Sequence, residues 1–289
     1  MNEFEIDKQA VRRAFSRAAG NYDASAVLQR EVFERMLERL DIVKLQPARV
    51  LDAGCGTGWG ARQLGTRYPA AQVLALDIAY GMLQAARGDT GWWKRLFGGG
   101  KQHHVCADIE ALPLATGSID LVWSNLAIQW CNDLPGTFRE LHRTLRTDGL
   151  LLFSTFGPDT LRELRSAFAE IDGHSHVSRF IDMHDIGDML VGAGFADPVM
   201  EMETLTLTYD DVRAVMQDLK DIGAHNATAG RSSGLMGKAA WRRVMDNYER
   251  FRRDGVLPAT FEIVYGHAWK PQPKQAADGR AVIKTPFKL

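Results

Sequence analysis

Cysteine is scarce in this chain. There are three in 289 residues, Cys55, Cys106 and Cys131, and they lie far apart. They build neither a disulfide framework nor a Cys-x-x-Cys metal site, and such sparse use suits a reducing cytosol. No apolar run approaches the roughly 20 residues that a membrane helix needs. The acidic start, Met1-Asn2-Glu3-Phe4-Glu5, has no apolar core and predicts no signal peptide. A dominant charge is missing too. With 35 basic and 36 acidic residues the net charge is −1, which excludes the overall basic character of a nucleic-acid binder. His174 and His176 lie close together, but no third metal ligand is near them in sequence. These absences predict a cytoplasmic protein with no metal, membrane or nucleic-acid role.

What is present is a patterned glycine loop. Val50-Leu51-Asp52-Ala53-Gly54-Cys55-Gly56-Thr57-Gly58 runs from an apolar stretch through an acid into glycine at every second position. Amphipathic sequence follows from Trp59 to Leu64. That order predicts a buried strand, a tight turn and a helix start. Glycine allows positive φ and lets a ligand lie directly against the backbone. No Gly-Lys-Ser/Thr follows, so the loop is not a P-loop. Trp59 stands where the dinucleotide fingerprint needs its third glycine, so that pattern is broken as well. The remaining Asp-x-Gly-x-Gly-x-Gly resembles motif I of class I S-adenosylmethionine (AdoMet) methyltransferases.

The rest of the chain supplies the scaffold for such a loop. Its length allows one large domain or a domain with a sizeable insertion. Val11, Ala14, Phe15 and Ala18 recur at helical spacing after Asp7, a candidate N-cap. Leu28, Val32, Phe33, Met36, Leu37 and Leu40 mark a second helix. Strands are expected at 49–52, 72–76, 102–106, 119–124 and 150–155, with helices between most of them. Such alternation implies a parallel sheet covered by helices on both faces. Two segments depart from it. Residues 88–101, with Trp92 and Trp93, read as an inserted loop. Residues 210–260 separate a strand at 205–208 from one at 261–269, and read as a cap over the sheet edge. The domain plan is therefore an N-terminal helical lid (1–45), an α/β core (46–209), a cap (210–260), a final strand (261–269) and a mobile tail (270–289).

Ligands of open parallel sheets bind beyond the carboxyl ends of the strands. Asp52, Asp77 and Asp108 sit at three such ends. In an AdoMet site Asp77 can accept both ribose hydroxyls, because a carboxylate offers two acceptor oxygens. Asp108, followed by Ile109, can accept from the adenine amino group. Ile78 and Met82 can sandwich the ring. Gly54, Cys55, Gly56 and Gly58 bring backbone toward the methionine part, and Asn125 can bond the amino-acid end.

Further segments narrow the resemblance. They are Phe15-Ser16-Arg17-Ala18-Ala19 with Tyr22-Asp23, Leu28-Gln29-Arg30, Asp108-Ile109-Glu110 with Leu112-Pro113-Leu114, Trp123 to Cys131, Leu219 to Ala224, Gly230-Arg231 and Tyr265 to Trp269. Together, from about Asp7 to Trp269, they resemble the malonyl-acyl-carrier-protein O-methyltransferases of biotin biosynthesis. The 88–101 insert and the tail depart from that family's core. The resemblance implies an α/β, Rossmann-like class I methyltransferase fold with a mostly parallel seven-stranded sheet, an N-terminal helical lid and a cap between the last two strands. It implies AdoMet as cofactor and a malonyl acyl-carrier protein, or malonyl-coenzyme A, as acceptor. The methyl ester then hides the malonyl charge, so that fatty-acid elongation can use it as a primer. At this point two other readings stay open: a methyltransferase with another small acceptor such as a quinone precursor, and an assembly factor that keeps the fold without catalysis.

The malonyl carboxyl is an anion at pH 7, so no strong general base is required, and neither a Ser-His-Asp nor a paired-carboxylate constellation stands out in the sequence. A carboxylate entering a dry pocket needs a fixed cation, and Arg231 is the expected clamp. Tyr22, on the lid, is the second catalytic candidate. Gln129 and Trp130, just past the fourth strand, are expected beside the substrate. An acidic carrier is expected on the basic cap residues Lys238, Arg242, Arg243, Arg250, Arg252 and Arg253.

Overall fold

The computed structural model describes residues 5–88, 102–169, 171, 178–222 and 236–273. The histidine pair 174 and 176, the Trp92-Trp93 insert, the loop carrying Arg231 and most of the tail lie outside the described residues.

Three helices open the chain. They are α1 (Lys8–Ala18), α2 (Tyr22–Ser25) and α3 (Val27–Asp41). Asp7 caps α1 by accepting from the Ala10 N–H at 2.9 Å, which satisfies one orphan donor of the first turn. Alternation then begins with β1 (Arg49–Ala53), α4 (Trp59–Arg67), β2 (Gln72–Asp77), α5 (Tyr80–Arg87), β3 (Gln102–Cys106) and β4 (Ile119–Asn125). After a short 3₁₀ turn (Ile128–Trp130) come α6 (Leu134–Thr144), β5 (Leu145–Phe156), α7 (Arg162–Ala169) and α8 (Met183–Gly192). The described chain closes with β6 (Ala196–Tyr209), α9 (Val212–Asp221), α10 (Lys238–Glu249) and β7 (Leu257–Trp269).

Among the described residues seven strands form one sheet in the order β3-β2-β1-β4-β5-β7-β6. The first five pair in parallel, and β7 runs antiparallel between β5 and β6. The central strands are apolar on both faces because helices cover both. Leu51, Val122, Leu151 and Phe153 face one apolar cluster, while Val50, Leu121, Trp123 and Leu152 face the other. Each large side chain sealed this way contributes about 1.5–3 kcal/mol relative to exposure. No helix among the described residues is long and apolar enough to cross a membrane.

Three strands are longer than the apolar pattern predicts. β5 begins at Leu145, not 150, because its early residues form a bulge. Ile119 pairs with Leu145 and Leu121 with Leu150. Within that bulge Asp148 takes φ +60° and donates its N–H to the Lys270 carbonyl at 2.9 Å. β6 extends back to Ala196. It is an edge strand, and its half-exposed residues Met200 to Glu203 lack the continuous apolar signature of a buried strand. β7 begins at Leu257, so the excursion between the last two strands ends four residues before the expected boundary.

Candidate functional site

The glycine loop lies between β1 and α4, at the carboxyl rim of the sheet. Gly54, Gly56 and Gly58 all have positive φ, at +87°, +53° and +73°. Gly54 also lies so close to Ala127 that an added Cβ would overlap the alanine methyl. The loop is held by its neighbour strand. The N–H groups of Gly54 and Cys55 donate to the Leu76 carbonyl at 2.8 and 2.9 Å. The Gly56 N–H donates to Asp77 Oδ2 at 2.9 Å, and the Ala79 N–H donates to Asp77 Oδ1 at 2.7 Å. Asp77 therefore joins the loop to the end of β2, and each of its oxygens keeps a further lone pair for a ligand.

Two connected clefts open on either side of this loop. The first encloses about 620 Å³. Its roof is the inner side of α1, with Lys8, Val11 and Phe15. Its apolar walls include Ile78, Met82, Ile109, Leu126 and Trp130, and its polar edge carries Asp77 and Asp108. The second encloses about 470 Å³ and is lined by Asp23, Gln29, Arg30, Phe33, Asp52, Cys55, Thr57 and Trp59 among others. Tyr22, Gly54, Gly56 and Asn125 line both. Most residues singled out in the sequence therefore meet at one place.

Burial sets the electrostatics. Asp52 is 3% exposed, and its Oδ2 has no hydrogen-bond partner. Burial, then the charge of Asp77, pushes its pKa up to about 7 against a hydrogen bond from the Ala61 backbone. Burial likewise raises Asp77 to about 6, although the Ala79 and Gly56 N–H groups oppose the shift. Gln29 Oε1, also buried, lacks a partner too. The second cleft thus holds two acceptors without donors; it is also lined by Arg30, whose guanidinium donates to the Asp23 carbonyl at 2.5 Å and lies 5.7 Å from the Trp59 ring centroid. Such a cleft suits a ligand bearing both an ammonium and a carboxylate.

Burial, then Asp77 and Asp23, raises the Tyr22 hydroxyl well above its ordinary value, so it remains protonated. Burial pushes Cys131 up to about 12, despite Lys8 and a hydrogen bond with Thr137. Cys55 rises well above its usual value for the same first reason. Neither thiol is a nucleophile near neutral pH.

Two expected site residues line neither cleft. Gly58 caps α4 in the left-handed region, and an added Cβ would press on Ala86, so its glycine serves the turn and helix packing. Gln129 spends its amide on protein, donating to the Leu126 carbonyl at 2.7 Å and accepting from the Thr155 hydroxyl at 3.4 Å. Asn125 lines both clefts but is also committed. It donates to the Gln29 carbonyl and accepts from the Ser154 hydroxyl, each at 2.8 Å. Trp130 is a cleft wall that packs edge-on against Phe15, with centroids 5.4 Å apart. Arg231 lies outside the described residues.

Lys8, Gln29 and Arg30 were not singled out from the sequence as site residues. Lys8 donates to Asp108 Oδ1 at 3.0 Å and lies 2.6 Å from Glu110 Oε2. Burial opposes the Lys8 charge, yet Cys131, Glu110 and Asp108 together hold its pKa above the ordinary value. One sequence signal existed: a cation in the first turn of a helix opposes the helix dipole, which calls for a partner elsewhere.

A methyltransferase domain model matches residues 51–153, which span the glycine loop, Asp77, Asp108 and Asn125. The chain is 71% identical over 289 residues, all of both proteins, to the malonyl-[acyl-carrier protein] O-methyltransferase of Gallionella capsiferriformans. The chain belongs to the malonyl-[acyl-carrier protein] O-methyltransferase family. A protein of the same name from a Methylovorus species is 62% identical over 96% of this chain and 95% of its own. The fold is shared more widely. The YcgJ protein of Bacillus subtilis superimposes with a TM-score of 0.58 over 83% of this chain and 99% of its own, at 17% identity.

Proposed function

We propose that this protein transfers the methyl group of AdoMet to the free carboxylate of a malonyl thioester carried by an acyl-carrier protein. The observation that carries this reading is the 71% identity, over all residues of both proteins, to a protein named for that reaction. The clefts support it because they match the two halves of AdoMet. The first offers apolar walls for a flat base, with Asp77 for the ribose hydroxyls and Asp108 for the exocyclic amine. The second offers Asp52 and Gln29 for the α-ammonium and Arg30 for the α-carboxylate. When bound, AdoMet supplies an activated methyl group on a sulfonium.

The chain's own residues then have a limited task. The acceptor is ionised at pH 7, so no side chain must remove a proton. Positioning is the main contribution, and it can supply on the order of 7–11 kcal/mol. Gly54, Gly56 and Tyr22 are common to both clefts, so with AdoMet spanning them these residues would border the group that joins its two halves. The α1 roof excludes water, which keeps the acceptor carboxylate poorly solvated and reactive. Arg231 remains our choice for gripping that carboxylate.

The test is incubation with methyl-labelled AdoMet and malonyl-carrier or malonyl-coenzyme A. Label is expected in a base-labile ester, and Asp77→Ala should abolish both binding and transfer. AdoMet binding without label in any malonyl acceptor would overturn the proposal.

A further inference from the structure

The roof helix has a second face. Its inner side faces the first cleft through Val11 and Phe15, with Lys8 fastened to Asp108 and Glu110. Its outer side carries Arg12, Arg13 and Arg17, all exposed. The segment Lys8–Ala18 contains four basic residues and no acidic one. No acid among the described residues pairs with the three outer arginines. Several surface arginines elsewhere are paired with acids: Arg35 with Glu31 and Glu203, Arg39 with Glu201, Arg67 with Asp41 and Arg143 with Glu140. In a chain of net charge −1 this is a local cationic face, not a general property of the surface.

Its position matters as much as its sign. α1 packs beside α5, where Gly81 leaves room for Ser16, and α5 ends at the exposed Arg87. The cap arginines expected from the sequence are a weaker candidate. Arg252 is spent on Glu249 and on the Asp210 and Gly255 carbonyls, and Arg253 on the Arg250 and Arg252 carbonyls. α10 also mixes Asp246 and Glu249 among its cations.

We infer that the outer face of α1, through Arg12, Arg13 and Arg17, is the docking surface for an acidic carrier protein. This rests on the reading that the malonyl thioester arrives on such a carrier. Acidic residues on the partner would meet a fixed row of guanidinium groups beside the cleft, while the flexible thioester arm reaches the site. The same contact couples delivery to lid closure, because the docking helix is also the roof. Attraction of this kind acts mainly on encounter rate and on salt sensitivity.

The experiment uses the full chain with Arg12, Arg13 and Arg17 all changed to Glu, and a milder variant with all three changed to Gln. Malonyl-coenzyme A presents the same thioester arm without the protein, and so serves as the control acceptor. The Glu variant should raise KM for malonyl-carrier and Kd for the carrier by roughly tenfold or more, within the range of electrostatic steering. The Gln variant should fall between, and the salt dependence of wild-type KM should flatten in both. Kinetics with malonyl-coenzyme A and the Kd for AdoMet should stay within about twofold. Equal shifts for both acceptors, or none for either, would overturn the docking surface. So would a carrier-specific effect from reversing Lys238, Arg242 and Arg243 with none from α1, or capture of the face by anionic vesicles but not by carrier. Failure of the underlying reading looks different: the unaltered protein would methylate neither acceptor, and the docking proposal would go with it.

Discussion

Lys8 Nζ lies 3.0 Å from Asp108 Oδ1, a bond between residues 100 positions apart that ties the roof helix to the rim of the sheet. Around it, Ile6 exchanges two backbone hydrogen bonds with the Asn132 side chain, at 2.8 and 3.0 Å. Glu110, the second partner of Lys8, in turn accepts from the N–H groups of Asn132 and Asp133. The helix α1 is thus latched at one end by a small polar network and packed through Phe15 on Trp130.

Removing the latch should speed ligand release. Lys8→Met keeps the aliphatic stem and deletes the charge. The pair is partly exposed, with side chains 23% and 31% accessible, so about 1 kcal/mol is the most it should contribute. The dissociation rate of S-adenosylhomocysteine should then rise about fivefold. Stopped-flow displacement measures it, and unchanged or slower release would show that the latch does not hold the roof shut.

Two glycines of one loop should fail in different ways. Gly54→Ala places a methyl inside Ala127 and forces an alanine to φ +87°. Overpacking of this kind costs about 1–3 kcal/mol, and the φ penalty adds to it. The melting temperature should fall by several degrees. At Gly56 an alanine also bears the strain of φ +53°, but the nearest atom to an added Cβ is Tyr22 Cε1 at 3.7 Å, so no overlap adds to that strain. Gly56→Ala should melt within a few degrees of wild type, yet lose AdoMet affinity because the methyl projects beside the ligand. Comparable affinity losses per degree of destabilisation in the two variants would refute the distinction.

The parallel half of this architecture was legible in the sequence because buried parallel strands are continuous apolar runs, as in Leu150-Leu151-Leu152-Phe153. β6 was read short because an edge strand alternates, and its early part carries Glu201 and Glu203, which pair with Arg39 and Arg35 of α3. Asp77 was legible as a site residue from its place at a strand end, but its grip on Gly56 was not, since that contact depends on how two loops approach. Gln129 looked available because sequence shows a side chain and not its bonds. Gln29 and Arg30 were hidden in plain helical periodicity: the pattern of α3 reports which face is apolar, not which polar residue beside it overlooks a cleft. Lys8 needed a partner that only the folded chain brings near.

The ligand-free protein should lose stability as pH rises through neutrality. Asp52 has a pKa near 7 in the folded state and about 3.9 when unfolded. The folded chain therefore holds more protons than the unfolded chain between those values. Its contribution is complete below about pH 4 and disappears as pH passes 7. Asp77, raised to about 6, acts in the same direction over a lower window. Thermal melts between pH 5 and 8 should show the decline, and Asp52→Asn should flatten it. A wild-type profile that is level or rising across this range would contradict the buried-acid assignment.

AdoMet binding should run the opposite way. An ammonium seated against Asp52 Oδ2 favours the ionised carboxylate, so binding expels a proton wherever Asp52 is still protonated. For a group titrating near 7, affinity should tighten about tenfold between pH 6 and pH 8. Calorimetry in buffers of different ionisation enthalpy reports the released proton directly. In Asp52→Asn the release should vanish. If proton release persists in that variant, another group faces the ammonium.

Tyr22 separates a hydrogen-bonding role from an acid–base role. Burial and the neighbouring Asp77 and Asp23 hold its hydroxyl protonated far into the alkaline range, so it can donate but not act as a base. Tyr22→Phe keeps the ring that borders Gly56 and removes only the donor. AdoMet affinity should change by less than about twofold, while kcat falls about tenfold, the loss expected for one hydrogen bond to a charged acceptor. Because no proton leaves Tyr22, the wild-type rate should show no alkaline limb that the variant lacks. Such a limb, measured with malonyl-coenzyme A at saturating AdoMet, would mean that the hydroxyl ionises during turnover and that proton abstraction contributes after all.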